Sequence, residues 1–359
     1  MDSVYVHIPF CKSICSYCDF CKMLYNGGFV TQYLNALLKE IKMRYNDEVI
    51  STLYIGGGTP SCLKPKELKY LMEILRSFKL ANDYEFTFEC NLNDINDELL
   101  EILKANGVNR LSIGIESFNE KKLKFMERSH TFADAKEKIA LCRTYGFNNI
   151  NVDLIYGIIG ETLKDLKKDI ELILKLDVEH ISTYSLIIED NTKIGIDKMC
   201  PIDEDLDADM YEYITKTLSK KYEHYEISNF AKSGYYSRHN MNYWDNKEYY
   251  GFGLGASGYL DGVRYENTRN LTKYLQDQYI AKQDFLSKTD IMDNEIMLGF
   301  RKIKGINLQE FFNKYEVNIQ DVYDIKTLIQ IKDLIYKNGY LFINPKKLYI
   351  MNEILIKLL

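Results

Sequence analysis

Residues 4–21, VYVHIPFCKSICSYCDFC, join an apolar strand pattern to a dense group of cysteines. Four of the eight cysteines of the chain lie here: Cys11, Cys15, Cys18 and Cys21. The first three, with three and two residues between them, can each reach a different iron of one 4Fe–4S cluster and leave the fourth iron open to a ligand. Two alternatives stay open. One is a zinc site completed by Cys21, and the other is a disulfide, which a reducing compartment disfavours.

Outward from this stretch, short apolar runs alternate with helix-period segments as far as Ile188. The strand candidates are residues 4–8, 52–56, 85–89, 110–115, 150–156 and 180–187. The helix candidates between them are residues 29–45, 65–78, 97–106, 120–127, 132–145 and 162–176. This alternation predicts an α/β fold with a parallel sheet and right-handed crossovers. The apolar character of the strand runs favours strands that are covered on both faces.

The residues at the carboxyl ends of the strand candidates indicate which of two folds is formed, a barrel or a flat doubly wound sheet. The second strand runs into the turn GGGTP (56–60), the third closes on Glu89, the fourth on Glu116, and the fifth carries Asp153. Functional groups at the carboxyl ends of many successive strands are typical of a barrel mouth, whereas a doubly wound sheet uses mainly its switch point. We therefore predict a partial (β/α)6 barrel with its site at the carboxyl ends of the strands.

The chain is predicted to contain three parts. We assign residues 1–200 to the barrel, residues 201–285 to an extension of the barrel, and residues 286–359 to a small C-terminal α+β domain. In the last part, a helix over residues 325–337 and a hairpin over GYLFINPKKLYIMN (339–352) predict a winged-helix-like module. Its basicity is too mild for extensive contact with DNA phosphates, so we expect a packing domain.

Composition excludes several classes of protein. The 359 residues contain 46 Lys+Arg against 52 Asp+Glu, a formal net charge of −6, which disfavours a nucleic-acid binder. No run approaches the roughly 20 unbroken apolar residues of a membrane span. The N-terminal sequence MDSVYVHIPF lacks the basic and apolar regions of a signal peptide. The sequence therefore predicts a cytoplasmic protein that is not an integral membrane protein.

The motifs together resemble a known family. The pattern CxxxCxxC after HIPF, with an aromatic residue before the third cysteine and GGGTP further on, resembles the radical S-adenosylmethionine (SAM) superfamily. Within it, the chain is similar over essentially its whole length to the oxygen-independent coproporphyrinogen oxidase-like group. The resemblance implies a 4Fe–4S cluster held by Cys11, Cys15 and Cys18, with SAM chelated to the open iron. It also implies reductive cleavage of SAM and an electron donor that reduces the cluster.

The resemblance further implies which residues contact SAM: Tyr5, Tyr17, Gly57, Gly58, Thr59, Glu89, Glu116, Arg128, Asp153 and Ile187. We expect the turn at Gly57–Thr59 to offer N–H donors to a carboxylate. The acidic side chains can accept hydrogen bonds from the amino group and the ribose, and Arg128 can pair with the carboxylate of SAM. The chain departs from the family pattern at Glu116, where Gln is usual, and at Ile159, where Pro is usual.

Residues 239–244, HNMNYW, contain the single Trp of the chain. The string resembles the HNxxYW motif of the heme-chaperone branch of this group, in which the His is similar to an axial heme ligand. Imidazole binds heme iron, and we expect Tyr243 and Trp244 to shield the macrocycle beside His239. The alternative is a loop that packs the barrel against the C-terminal domain. Three other histidines are expected to be satisfied structural residues: His7, His180 and His224.

Two features favour the chaperone branch over the porphyrinogen-oxidising branch. First, only six residues precede His7, whereas the oxidising enzymes begin well upstream of this strand. Second, those enzymes have a fourth Cys two positions after the third, whereas in this chain Cys21 stands three positions after Cys18. We expect a heme chaperone that delivers heme to an acceptor protein. The alternatives are a porphyrinogen oxidase and, more remotely, a zinc-stabilised barrel without catalysis. The GxGxxG string at residues 253–258 follows no strand and no βαβ unit surrounds it, so we expect no dinucleotide site there.

Overall fold

The computed structural model describes residues 3–359. Its first part contains, in chain order, β1 (Ser3–Ile8), β2 (Phe10–Cys11), β3 (Met23–Leu24), α1 (Gly27–Arg44), β4 (Val49–Gly57), α2 (Pro65–Leu75), β5 (Lys79–Asn91), α3 (Asp97–Ala105), β6 (Arg110–Glu116), α4 (Glu120–Phe125), α5 (Phe132–Thr144), β7 (Ile150–Tyr156), α6 (Leu163–Leu176), β8 (His180–Ser185) and α7 (Lys193–Ile196). Short 3-10 helices follow β4 at Pro60–Cys62 and β5 at Leu92–Asp94. Within residues 3–359, no helix has both the length and the apolarity needed to cross a membrane.

Side chains cap the free N–H groups at which several of these helices begin. Thr131 accepts a hydrogen bond from the Asp134 N–H, and the Asp134 carboxylate accepts one from the Thr131 N–H, so α5 begins at Phe132. Thr162 and Asp165 form the same capping box before α6. Such a box satisfies two donors that a helix leaves without a partner. The six helices and six strands predicted for this part are confirmed, with small shifts at their ends.

The strands β1 and β4–β8 form the wall of a partial barrel. They are parallel and follow the order β1-β4-β5-β6-β7-β8. Helices α1, α2, α3, α5 and α6 connect successive strands, as parallel neighbours require. This confirms the predicted α/β partial barrel and brings the carboxyl ends of the six strands to one edge.

The inward face of this wall is polar and lines a lumen, which corrects the expectation that the strands are covered on both faces. Alternate residues, such as Leu53 of β4, are buried in the core that the helices cover. The residues between them face the lumen, and the strand register places Tyr5, Tyr54, Thr87 and Arg110 side by side in one layer. Because side chains alternate between faces with a period of two, a strand can present one apolar and one polar face. A polar lumen of this kind is suited to a ligand.

Residues 201–285 extend the same sheet at both edges. Their elements are α8 (Glu204–Leu218), β9 (Glu223–Glu226), β10 (Asn229–Ala231), α9 (Arg238–Trp244), β11 (Tyr249–Phe252), β12 (Ser257–Leu260), β13 (Val263–Asn267), α10 (Leu271–Leu275) and β14 (Ile280–Phe285). β11 lies parallel to β1, and β12, β13 and β14 continue from it with antiparallel pairing. Beyond β8, β10 and β9 add two antiparallel strands. The complete sheet has 12 strands.

The glycine-rich segment 253–258 directly follows β11, which corrects the expectation that it follows no strand, and a buried carboxylate holds it. Glu40 Oε2, on α1, accepts hydrogen bonds from the Gly253 N–H at 2.8 Å and from the Tyr274 hydroxyl at 2.6 Å. Glu40 Oε1 accepts one from Asn267 Nδ2 at 2.7 Å. Gly253 has a φ of +100°, and a Cβ there would lie 2.5 Å from the His7 carbonyl oxygen, so the position favours glycine. The segment therefore fastens the barrel extension to α1, with the Gly253 donor used inside the protein.

The C-terminal part contains α11 (Lys288–Gly299), β15 (Ile306–Asn307), α12 (Leu308–Tyr315), α13 (Ile319–Val322), α14 (Ile325–Gln330), β16 (Leu334–Lys337), β17 (Tyr340–Ile343), a 3-10 helix (Pro345–Ile350) and α15 (Met351–Leu358). β15, β17 and β16 form a separate antiparallel sheet, which matches the predicted winged-helix-like module. The predicted helix over 325–337 is wrong at its end, because residues 334–337 form β16. The hairpin is also displaced. It turns at Asn338 and Gly339, both with positive φ, as an Asn-Gly hairpin turn requires.

Candidate functional site

The cysteine loop leaves the carboxyl end of β1 and is tied back to it. β2 and β3 pair in parallel, and the Met23 N–H donates to the Pro9 carbonyl oxygen at 2.7 Å, so both ends of the loop are fixed. The Ser16 hydroxyl donates to the Phe125 carbonyl oxygen at 2.7 Å, which rests the loop on α4. Cys11 is buried, and the other three cysteines of the loop are partly exposed.

The electrostatic surroundings separate three of the loop thiols from the fourth. Burial raises the pKa of Cys11 to about 11, and the neighbouring side chains of Cys18 and Cys15 act in the same direction. Burial also raises the pKa of Cys18, with Cys15 again among the causes. Burial raises the pKa of Cys21 as well, and the charges of Arg269 and then Lys22 oppose that rise. Lys22 also opposes the rise at Cys11 and Cys18, which differ from Cys21 in that the nearby Cys15 acts on both.

The loop thiols do not form a ready-made site for a single metal ion within residues 3–359. Among residues 3–359, no three His, Cys, Asp or Glu side chains converge on a point where one ion would bind. A structural zinc ion needs four ligands around one centre, whereas the ligands of an iron–sulfur cubane bind different irons and lie farther apart. Gly58 lets the turn pack directly against the first thiol, because a Cβ there would lie only 2.8 Å from Cys11 Sγ.

The other glycines of the turn after β4 pack against polar side chains. A Cβ at Gly56 would lie 2.8 Å from the Glu89 carboxylate, and one at Gly57 would lie 2.7 Å from the His7 ring. Gly57 also has a φ of +120°, which side chains other than hydrogen rarely permit. The glycine run therefore lets the turn approach the side chains at the barrel mouth closely.

The N–H groups of this turn are already used within the protein. The Gly57 N–H donates to Glu89 Oε2 at 3.1 Å. The N–H groups of Gly58 and Thr59 donate to carbonyl oxygens of β1 and β2, at 2.9 and 2.8 Å. The expectation that the turn offers free N–H donors to a carboxylate is therefore wrong. The Thr59 hydroxyl is directed to Cys11 Sγ at 3.5 Å, which links the turn to the cysteine loop.

Three acidic side chains from successive strands face one space at the barrel mouth. Burial raises the pKa of Glu89 to about 7, and burial likewise raises the pKa of Glu116 to about 7. The charge of Asp153, whose own pKa is raised by burial, contributes to both shifts. The Tyr54 hydroxyl donates to Glu89 Oε1 at 2.7 Å, and Asn151 Nδ2 donates to Asp153 Oδ1 at 2.8 Å. Such a concentration of buried carboxyl groups suits a cationic ligand.

Arg128 is already paired at this mouth. Its Nη2 lies 3.0 Å from Glu116 Oε1, and its Nη1 donates to the Gly114 carbonyl oxygen at 2.9 Å. A Cβ at Gly114 would lie 2.9 Å from Glu116 Oε1, so glycine makes room for the pair. The Tyr17 hydroxyl interacts with both members, which places this residue of the cysteine loop beside the carboxylates. The Glu that replaces the usual Gln thus engages the arginine expected to bind the carboxylate of SAM.

The last two SAM candidates lie in different settings. Tyr5 is on the inward face of β1, where its hydroxyl lies 3.0 Å from His7 Nδ1 and its ring lies 6.1 Å from that of Tyr54. Ile187 follows β8 and is 69% exposed, at the rim of the barrel. The structure therefore gathers the cysteine loop, the glycine turn, the acidic residues, Arg128 and Tyr17 at one mouth, with Ile187 at its edge.

The structure does not bring His239 to this mouth. His239 lies on α9 and is 1% exposed. Its Nδ1 lies 2.9 Å from Thr52 Oγ1, its Nε2 lies 2.8 Å from the Tyr243 hydroxyl, and its ring stacks on Tyr54 at 5.0 Å. Burial lowers the pKa of His239 to about 3, so the imidazole is neutral. Both ring nitrogens are engaged, and Thr52 lies towards the amino end of β4, away from the glycine turn.

The two aromatic residues of HNxxYW do not enclose a macrocycle site in this conformation. Tyr243 bonds to His239 itself, and the Trp244 ring lies under the guanidinium of Arg301 at 5.4 Å. Glu85 holds the start of α9, because its two carboxylate oxygens accept hydrogen bonds from the N–H groups of Arg238 and His239 at 3.0 and 3.1 Å. The motif therefore packs the barrel against the C-terminal part, which is the arrangement that the alternative interpretation predicts.

The remaining histidines have partners within the fold. His7 Nε2 lies 2.6 Å from the Cys21 carbonyl oxygen. His180 is fully buried between Asn151 and Tyr225, with ring nitrogens 2.6 and 2.7 Å from their side-chain oxygens. His224 stacks on Phe230 at 4.3 Å. Their prediction as satisfied structural residues is confirmed.

Sequence reasoning missed the polar residues that line the lumen between the mouth and α9. They share the inward face of the barrel strands: Thr52, Tyr54, Glu85, Arg110, Asn151, Ser182 and Tyr184. Tyr184, 42% exposed, shows that the lumen is open to solvent on this side. A signal was available, since these residues occupy alternate positions of the strand candidates.

Comparison with known proteins gives the family. Residues 5–173 match the family model of the radical SAM superfamily. The chain is 41% identical over 333 residues to the heme chaperone HemW of Lactococcus lactis, covering 90% of this chain and 87% of that protein. It is 39% identical over 334 residues to the heme chaperone HemW of Bacillus subtilis, covering 88% of this chain and 87% of that protein.

A solved structure with this fold is coproporphyrinogen III oxidase (HemN) from Escherichia coli, a radical SAM enzyme. It matches with a TM-score of 0.86 at 21% identity, over 99% of this chain and 89% of that chain. At that identity the likeness establishes the fold alone. The two heme chaperones are 41% and 39% identical to this chain over about nine tenths of its length. The chain therefore belongs to the HemW family of radical SAM proteins.

Proposed function

We propose that this protein is a heme chaperone built on a radical SAM barrel, which binds a 4Fe–4S cluster and SAM and delivers heme to an acceptor protein. The observation that carries the proposal is the 41% identity over 90% of the chain to a protein named as a heme chaperone. An electron donor to the cluster is a second expected partner. We place the protein in the cytoplasm, because its eight cysteines are free and cluster assembly needs reduced thiols.

Cys11, Cys15 and Cys18 are the proposed cluster ligands. Their mutual electrostatic influence and the close approach of the Gly58 turn to Cys11 support this assignment. Cys21 is excluded from the proposed set, because its Sγ lies against Gly255 and its carbonyl oxygen is held by His7. A bound, reduced cluster would supply an electron to SAM.

The acidic mouth is the proposed SAM site. SAM carries a sulfonium and an ammonium group, and the buried carboxyl groups of Glu89, Glu116 and Asp153 would stabilise both charges. Asp153 is the proposed acceptor for the ribose hydroxyls. Tyr5, Tyr17, the turn Gly57–Thr59, Arg128 and Ile187 complete the proposed contacts, with Arg128 shared between Glu116 and the carboxylate of SAM.

His239 is the proposed heme ligand, provided that the Tyr243 hydroxyl leaves its Nε2. Its imidazole is neutral, as a metal ligand must be. Iron at Nε2 requires the Tyr243 hydroxyl to give up its hydrogen bond, a cost of about 1 kcal/mol that a metal–nitrogen bond would offset. Heme binding would therefore have to displace the Tyr243 hydroxyl from Nε2.

A hemin titration of the anaerobically reconstituted protein tests the proposal. A Soret band with a 1:1 end point is expected for the wild type, and the absorption and EPR spectra of His239→Ala should report a lost axial nitrogen. His224→Ala, at an imidazole outside α9, is the matched control and should retain the wild-type spectra. Identical spectra for wild type and His239→Ala would remove His239 as the ligand.

The same preparation distinguishes the alternatives. Conversion of coproporphyrinogen in the presence of SAM and reductant would replace the chaperone by the oxidase. Zinc without iron in the purified protein, together with no heme binding, would favour the zinc-stabilised barrel.

A further inference from the structure

The inward face of β6 carries a buried arginine without an ion-pair partner. Arg110 is 2% exposed, and its Nε has no hydrogen-bond partner. Within the part of the chain that the structure describes, no carboxylate forms an ion pair with its guanidinium. Thr87, its neighbour in the same layer of the lumen, is also fully buried and leaves its hydroxyl oxygen unpartnered. Two adjacent polar groups of the lumen wall therefore lack partners.

The groups around Arg110 locate its guanidinium between the SAM mouth and α9. Its positive charge lowers the pKa of Tyr54 and Asp153, although burial has the larger, opposite effect on both. Burial, and after it the charge of Arg110, lowers the pKa of His180 and of His239. Both imidazoles are therefore neutral. Among the described residues, Asp153 forms no ion pair with the arginine, and its Oδ1 accepts a hydrogen bond from Asn151 Nδ2 at 2.8 Å.

An unpaired guanidinium in such a place is costly. The net penalty for removing a charge from water is several kcal/mol unless a counter-charge is close. The other buried cations of the barrel follow this rule, since Arg128 pairs with Glu116, and Lys122 pairs with Glu161 and Asp169. Arg110 departs from it, although its position adjoins an open lumen. An anionic group of a bound ligand would supply the missing counter-charge.

We propose that Arg110 recognises a carboxylate of the cargo held in the lumen, namely a propionate group of heme. The inference rests on the proposed function. It assigns to Arg110 the binding of a propionate at the edge of the macrocycle, in addition to His239, which is proposed to bind the iron. A guanidinium can bind a carboxylate through two parallel hydrogen bonds, which fixes orientation as well as position. The strand register places Arg110 in the same layer as Tyr54, whose ring stacks on that of His239 at 5.0 Å, so a single ligand could engage both.

The test compares hemin with hemin dimethyl ester, in which both propionates are masked. Equilibrium titrations would use the reconstituted full-length protein as wild type, Arg110→Met and Arg110→Lys, with Arg76→Met, at an exposed residue directly after α2, as the control. Wild type and Arg76→Met should bind hemin about 10- to 100-fold more tightly than the ester, as expected for a charge-assisted pair. Arg110→Met should bind the two ligands alike, and Arg110→Lys should keep an intermediate preference. Iron content and SAM affinity should match wild type in every variant.

Each other outcome contradicts the proposal. Equal affinity of the wild type for both ligands overturns the role of Arg110 while leaving the chaperone function in place. Loss of SAM affinity in Arg110→Met with an unchanged preference for hemin would assign the carboxylate to SAM instead. Binding of neither ligand by the wild type would overturn the proposed function and this inference together. If circular dichroism shows that Arg110→Met does not fold, the test depends on the ratio of hemin affinity to ester affinity in the wild type and in Arg110→Lys. An undiminished ratio in Arg110→Lys would then contradict the proposal.

Discussion

Replacing Lys122 by Met should lower the free energy of unfolding by about 3–5 kcal/mol. Lys122 is 4% exposed, and its Nζ lies 2.6 Å from Glu161 Oε1 and 2.9 Å from Asp169 Oδ2. Both carboxylates are also buried, so the variant would leave them without a cation in a medium that solvates charge poorly. Met retains most of the volume of the lysine alkyl chain. The decrease in the free energy of unfolding therefore measures the contribution of the positive charge.

The sign of the pH dependence follows from the same contacts. Burial raises the pKa of Glu161, and the charge of Lys122 opposes that rise. Without Lys122 the pKa rises further. A carboxyl group whose pKa is higher in the folded state stabilises the fold at low pH and loses that contribution as the pH rises through the folded-state value. The variant should therefore differ little from wild type near pH 5 and differ most near pH 8.

The triad also supports the proposed SAM site. Asp169 Oδ2 accepts a hydrogen bond from the Ser117 hydroxyl at 2.6 Å, and Asp169 Oδ1 accepts one from the Phe118 N–H at 2.9 Å. These two residues directly follow Glu116, which has a φ of +66° and depends on its surroundings for this conformation. Lys122→Met should thus weaken SAM binding while leaving the iron content unchanged.

Urea denaturation followed by far-UV circular dichroism measures the loss. Lys121→Met, at an exposed neighbour on α4, is the control and should change the free energy of unfolding by less than about 0.5 kcal/mol. Adding Glu161→Gln and Asp169→Asn to Lys122→Met should recover most of the stability, because no buried charge remains. A loss below about 1 kcal/mol, or one that is equal near pH 5 and near pH 8, would refute the reasoning.

Three further predictions concern the proposed site. After reconstitution, Cys21→Ser should keep the wild-type iron content, whereas Ser at any one of the three proposed ligands should remove most of the iron; iron loss in Cys21→Ser would overturn the assignment. Asp153→Ala should weaken SAM binding in calorimetry at unchanged iron content, and wild-type affinity would exclude the ribose contact. Burial raises the pKa of Glu116 from 4.5 to about 7, so this residue stabilises the wild type below about pH 4.5 and costs up to about 3 kcal/mol of that stability as the pH rises through 7. Glu116→Gln should remove this loss, and parallel pH profiles of the unfolding midpoint for the two proteins would contradict the shift.

The barrel could be predicted because its signals are local in the chain. Each strand candidate is a short apolar run, and each helix candidate has its own period and often its own capping box, as at Thr131 and Thr162. The mouth was predictable for the same reason, since Glu89, Glu116 and Asp153 stand at or near the ends of such runs. Parallel strands then bring these ends together without further information.

The parts that sequence reasoning missed depend on contacts between distant segments. The Gly57 N–H is used by Glu89, and the ring nitrogens of His239 are used by Thr52 and Tyr243, which no local pattern reveals. The displaced hairpin is a different case. Asn338–Gly339 is a strong local turn signal, and it was outweighed by the apolar helix-period run that precedes it.

The positions of His239, Arg110 and the SAM turn along the barrel bear on whether bound SAM could react with a bound heme. On β4, Gly57 at the SAM turn lies five positions after Thr52, which contacts His239, and five steps at 3.3 Å per residue give a rise of about 16 Å. A heme held by His239, with a propionate on Arg110, would be anchored on the amino-terminal side of the proposed SAM site. Oxidative decarboxylation of a propionate needs the reacting carbon in contact with the activated cofactor, since reacting atoms must lie about 3–3.5 Å apart. Anchoring the propionate to Arg110 would restrain it at the lumen wall, away from the cysteine loop. Such an arrangement favours holding and transferring heme over changing it.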